Sequence, residues 1–223
     1  GAELENLLNE AAILAAIEDR QFLCQKDIQK AFIKVGIGTE KHSRVISEKE
    51  KKITAYHEAG HAILFHVLEK MDPVYTISII PTGAGAAGYT MPLPNRDEMF
   101  NTRGKMLENI EVCLGGRIAE ELIFDDITTG ASEDIRRATG IAKAMVTKYG
   151  MSEKMGVMVY EEENQNGFFG NMGNRTISEA TQQQVDQEVR RILDEQYKVA
   201  WNILESHKDI AHTMVKALME WET

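Results

Sequence analysis

The sequence predicts a mainly α-helical chain that carries one small β-hairpin. Three observations predict it. Apolar residues recur at helical spacing through the long stretches. Two short β-favouring runs, VYTISII (74–80) and AGYTM (87–91), flank the glycine-rich TGAGA, which is the pattern of a hairpin. Prolines punctuate that stretch: Pro73 closes the helix before it, and Pro81, Pro92 and Pro94 follow.

The elements follow in order. Residues 1–18 place Leu4, Leu7, Leu8, Ala11, Ala12, Leu14 and Ala15 on a helical stripe. KDIQKAFIKV predicts a second, short helix. GIGTEKHSRVISEKEKK contains glycine and then charge, and reads as a linker with a boundary near residue 42. The helix holding AYHEAGHAI comes next and runs to about Glu69. In the hairpin, TGAGA is read as a flexible tip, because no helix with Lys and Ser/Thr follows to make it a phosphate loop. A helix is expected from about Asp97 to Phe124, with Gly115 and Gly116 in its middle. The loop DDITTGAS leads to a helix over Glu133–Tyr149. Residues 161–175 are polar and rich in glycine and asparagine, and are expected to be irregular and mobile. Thr176 and Glu179 form an expected capping box for a long helix to about Glu205. HKDIAHTMVKALMEW supplies the last helix.

Composition narrows the function. The net charge is −10, from 25 basic and 35 acidic residues, which argues against a nucleic-acid footprint. No apolar run approaches the ~18 residues of a membrane span, and no signal peptide is visible. The chain opens on Gly1 and is expected to be part of something longer, with any membrane anchor elsewhere. Cys24 and Cys113 form no CxxC pair and are expected to be reduced core residues of a cytosolic protein.

AYHEAGHAI carries the chemistry. In a helix, His57 and His61 lie about 40° apart around the axis and one turn apart along it, so both imidazoles can reach one ion. Glu58 sits about 100° round from His57, beside such an ion rather than on it. This is the HExxH arrangement of zinc peptidases: two ligands, and a glutamate that takes a proton from the activated water and passes it to the leaving amine. Gly60 costs the helix about 1 kcal/mol against alanine, which makes sense if something approaches the backbone closely there. His66 lies about 180° from His57 and is not expected at the site. The longer HExxHxxGxxH pattern fails at Leu64 and Val67, so a third ligand must come from another segment.

The candidates are Glu120, Glu121, Asp125, Asp126, Glu133 and Asp134. In the helix from Glu133, the apolar stripe is Ile135, Ala138, Ile141, Ala142, Met145 and Tyr149. Asp134 falls about 55° from its centre and Glu133 about 155° away. Glu133 is explained by the helix macrodipole. An inward Asp134 is not, because a buried carboxylate needs a partner. Asp134 therefore leads, with Glu120 and Glu121 behind it. Glu121 also has an i,i+4 ion pair with Arg117 open to it.

AYHEAGHA, DPVYTISIIP, LGGRIAEELIF, TTGASEDIRRAT and MVTKYGMSEKMG occur in that order. Residues 43–223, which contain them, resemble the peptidase domain of the FtsH family of membrane-anchored, ATP-dependent AAA+ zinc proteases. Residues 1–40 resemble the end of that family's AAA+ lid, with GAEL at the sensor-2 position and NEAAILAA in the helix behind it. The expected division is thus a lid remnant and linker over 1–42 and a zinc metallopeptidase domain over 43–223.

The resemblance implies zinc held by His57, His61 and Asp134, with Glu58 as catalytic base and Glu120 supporting the site without binding the ion. It implies that AAGYTM borders the cleft and pairs with an extended substrate strand. It also implies a homohexameric parent that unfolds damaged proteins. That parent sits at a bacterial cytoplasmic membrane, with the catalytic domain on the cytoplasmic side, or at an organellar inner membrane. The departures are the absence of a GxxxxGK[ST] loop, an arginine-finger segment and a transmembrane helix, so these 223 residues are expected not to bind ATP. FDDITTG is also shorter than in some members. Two other readings stand beside this one. A non-catalytic helical binding or scaffold module with structural zinc would have no use for Glu58 and would want four protein ligands. A zinc hydrolase of small amides would not need a strand suited to extended polypeptide.

Overall fold

A computed structural model of the chain describes residues 1–41, 46–83, 85–94, 98–160 and 178–223. Among these residues there are seven α-helices and one two-stranded antiparallel sheet. The helices are α1 (Ala2–Ile17), α2 (Gln25–Gly36), α3 (Glu48–Val67), α4 (Arg103–Phe124), α5 (Ser132–Thr147), α6 (Glu179–Ser206) and α7 (Lys208–Trp221). The strands are β1 (Val74–Ser78) and β2 (Tyr89–Pro92). The mainly α class with one small hairpin is the observed architecture.

Local chemistry sets the helix starts. Ser47 opens α3: its Oγ accepts from the Glu50 amide at 3.2 Å, and Glu50 reaches back to the Ser47 amide at 3.4 Å. Thr102 opens α4, its Oγ1 accepting from the Lys105 amide at 3.2 Å. This cap corrects the expected start near Asp97: α4 begins six residues later, and 98–102 form no helix. Ser178 opens α6 and accepts from the Thr181 amide at 3.2 Å. The expected Thr176 cap and the segment 161–175 lie outside the described residues. Cys113 is buried, as expected, but Cys24 is only half-buried. It caps α2 beside a charged pair, with Asp27 accepting from both its amide and its thiol and Arg20 bridging to Asp27. The polar cap position displaces it from the core.

α3 is the central element. One face packs into the main core with Ile110, Leu114 and Ile118 of α4, Ala138, Ala142 and Met145 of α5, and Val185 and Ile192 of α6. The other face packs Ala55, Tyr56 and Ala59 against Ile79, Val215 and Leu218, joining the hairpin to α7. The turn-side end of β1 is tied to the end of α7: the Ile79 amide donates to the Glu222 carbonyl at 3.0 Å, and Thr223 Oγ1 donates to Ser78 Oγ at 2.8 Å. The tip of the hairpin meets the segment after α2, where Gly83 N–H donates to Thr39 O at 2.8 Å and Lys41 N–H to Pro81 O at 2.7 Å. No described helix is long and apolar enough to cross a membrane.

α3 and α4 cross where their glycines meet. A Cβ built on Gly60 would lie 2.4 Å from the Gly115 carbonyl oxygen and 2.8 Å from Ala119 Cβ. The close approach that Gly60 implied is therefore the backbone of α4. Gly60→Ala is expected to destabilise the fold by about 1–3 kcal/mol, despite alanine's better helix propensity, because a backbone oxygen cannot step aside. A urea titration would show this as a lowered midpoint with an unchanged slope.

Candidate metal centre

Helix geometry places His57 and His61 on the α4-facing side of α3, one turn apart. Their rings are oriented from behind. His57 Nδ1–H donates to Glu120 Oε1 at 2.7 Å, and His61 Nδ1–H donates to the Val112 carbonyl at 2.7 Å. Each bond orients its ring so that Nε2 faces the opposite way, where it can ligate an ion once it gives up its proton. The two Nε2 atoms are 3.1 Å apart. Asp134, from the first turn of α5, brings Oδ2 to 3.2 Å from His57 Nε2 and 3.5 Å from His61 Nε2.

Three donors thus form a near-equilateral triangle. A tetrahedral zinc with arms of about 2.0–2.1 Å would span ligands about 3.3 Å apart, so both the spacing and the chemistry of this donor set fit the ion. Among the described residues, this is the one group of three His, Cys, Asp or Glu side chains so placed. It supplies three protein donors and leaves a tetrahedral fourth position to water or substrate.

The charges interlock. Burial alone would depress the His57 imidazolium, but hydrogen bonds to Asp134 and Glu120 raise it to about 10. Burial likewise works against the Asp134 and Glu120 carboxylates, and is outweighed by their bonds to the histidines, which hold both below the usual range. Glu120 is almost fully buried, and its second oxygen accepts from the Thr128 amide at 2.7 Å. One carboxylate thereby ties the His57 ring to the loop that leads into α5 and Asp134. Room for the His57 ring depends on Gly116, where a Cβ would fall 2.4 Å from ring atoms.

Glu58 is 6% exposed, and its desolvation pushes its carboxyl upward. Its Oε2 accepts from Thr90 Oγ1 of β2 at 2.8 Å. It belongs to the same buried locus without joining the donor triangle.

The remaining candidates fall elsewhere. His66 is exposed at the far end of α3. Glu121 accepts from the Tyr197 hydroxyl at 2.6 Å and sits 3.8 Å from Arg117, the ion pair its spacing suggested. Asp125 and Asp126 are exposed in the loop after α4. Glu133 has a side chain 69% exposed and pairs with Arg136, whereas that of Asp134 is 28% exposed. The stripe that separated them is shorter than expected: Ala138, Ala142 and Met145 are buried, but Ile135 is 38% and Tyr149 51% exposed. Sequence reasoning missed Thr90, Thr128 and the Val112 carbonyl, all supplied from distant segments.

Residues 44–223 match the model of peptidase family M41. Over its full length the chain is 47% identical to an "ATP-dependent zinc metalloprotease FtsH" of Cupriavidus metallidurans, covering 34% of that protein. Proteins of the same description from Veillonella parvula and Caldicellulosiruptor bescii are 45% and 47% identical, again over all of this chain and over 35% and 36% of theirs. The chain thus spans about a third of the length of these relatives. Family match, relatives and fold agree: the chain belongs to peptidase family M41.

Proposed function

We propose that the chain is the zinc-dependent endopeptidase portion of an ATP-dependent, membrane-anchored protease, hydrolysing peptide bonds of unfolded or damaged proteins. The observation that carries this is the convergence of His57 Nε2, His61 Nε2 and Asp134 Oδ2, with a buried glutamate beside them outside the donor set. When bound there, zinc would polarise the scissile carbonyl and lower the pKa of water to about 7. The residues do the rest. Glu120 and the Val112 carbonyl hold the two imidazoles in the ligating tautomer. Glu58 takes a proton from the attacking water and returns it to the leaving nitrogen. β2 lies alongside α3 and offers an edge on which an extended polypeptide can add as a strand.

In this reading residues 1–42 are the end of an AAA+ lid with its linker, and 43–223 the peptidase domain. The family match starting at residue 44, and the packing of α1 on α2, support that division. The relatives are described as ATP-dependent, and the 223 residues contain no GxxxxGK[ST] loop, so the ATPase motor is assigned to other parts of the parent protein. That parent is a homohexamer at a bacterial cytoplasmic membrane with this portion on the cytoplasmic side.

The test is a paired digestion. Folded domains lie about 5–15 kcal/mol below their unfolded states and rarely offer an extended backbone. This chain is expected to cleave unfolded casein slowly, to spare a stable folded domain, and to respond to ATP in neither case. ATP-stimulated loss of the folded substrate, in a contaminant-free preparation, would contradict the placement of the motor.

A further inference from the structure

We infer that Thr90 is a positioning residue for Glu58, an assignment that rests on the peptidase reading above. Thr90 Oγ1 lies 2.8 Å from Glu58 Oε2 and 3.2 Å from the Glu58 main-chain oxygen. A hydroxyl has one hydrogen to give, and the shorter contact to the carboxylate takes it. Among the described residues it is the one hydrogen-bond donor to that carboxylate.

The reach from strand to helix is built into the hairpin. A Cβ on Gly88 would lie 2.6 Å from the Ser78 carbonyl oxygen, 2.7 Å from Thr54 Cγ2 and 3.1 Å from Glu58 Cγ. Any side chain at 88 would hold β2 off α3 and pull Thr90 out of range. Tyr89, pointing to the opposite face of the strand, is buried and donates its hydroxyl to Glu40 Oε1 at 2.9 Å. Thr90 is thus fixed from both sides.

A glutamate has three rotatable side-chain bonds, and a base must be aimed to within a few tenths of an ångström of its proton. With Oε2 held by Thr90, the carboxylate plane is set and Oε1 is left to accept the proton of the attacking water. Thr90 touches no reacting atom and acts only through Glu58. The strand proposed to receive substrate is then also the strand that orients the base.

The test compares Thr90→Val, Thr90→Ala and Thr90→Ser in the full 223-residue chain, by zinc content and by kcat and KM on an unstructured fluorogenic peptide. Val and Ala are expected to retain zinc and to lower kcat by about 10- to 100-fold with KM within about twofold of the parent. Ser, which keeps the hydroxyl, is expected to restore kcat to within about threefold. Should Val disturb the strand and fail to fold, Ala against Ser makes the same comparison. A kcat within about twofold of the parent in Val or Ala, or a Ser variant as slow as Ala, would overturn the assignment while leaving the peptidase reading intact. A parent chain that binds zinc and cleaves nothing would overturn both.

Discussion

Replacing Glu58 with Gln is expected to lower peptide cleavage by at least about 100-fold while zinc stays bound, the range expected for loss of a general base. The amide keeps nearly the same size and can still accept from Thr90, so the buried locus between α3 and β2 keeps its shape. What it loses is a carboxylate able to take a proton. The donor triangle of His57, His61 and Asp134 does not include Glu58, so metal analysis of the purified variant should match the parent. Cleavage by Glu58→Gln at more than a few per cent of the parent rate would show that another group is the base.

Replacing Asp134 with Ala has a comparably large expected effect, on metal rather than on chemistry. The variant keeps two imidazoles and loses the only carboxylate oxygen within 3.5 Å of both Nε2 atoms among the described residues. Loss of an outer hydrogen-bond partner lowers metal affinity by about 10- to 100-fold, and loss of a ligand should exceed that. Glu133→Ala is the control. Its side chain is exposed and paired with Arg136 on the surface of α5, so its removal should leave zinc content unchanged. Equal zinc in the two purified variants would remove Asp134 from the donor set and turn attention to Glu120.

The two adjacent acids also show what was legible in the sequence. His57, Glu58 and His61 are set by the helix period alone, over five residues, and no distant segment is needed to place them side by side. Asp134 was separated from Glu133 by the α5 stripe, even though Ile135 is 38% exposed and Tyr149, two residues beyond the end of α5, is 51% exposed. Its buried middle, Ala138 to Met145, was enough to orient the first turn. Gly60 announced a close approach by its cost in a helix, but only the tertiary crossing could name Gly115 as what approaches. The resemblance put the strand of Thr90 at the cleft, but its bond to Glu58 gave no signal, because the two lie 32 residues apart across a strand-to-helix contact. The start of α4 was expected near Asp97, whereas the physical cap is the Thr102 hydroxyl.

In the proposed mechanism, cleavage belongs to one zinc ion held by His57, His61 and Asp134. The most direct measurement strips the 223-residue chain with a chelator and titrates zinc back while following cleavage of an unstructured fluorogenic peptide. No cleavage is expected in the stripped protein, followed by a rise to a plateau at one zinc per chain. Cleavage that persists in the stripped protein, or that stays absent once one zinc is bound, would contradict this mechanism.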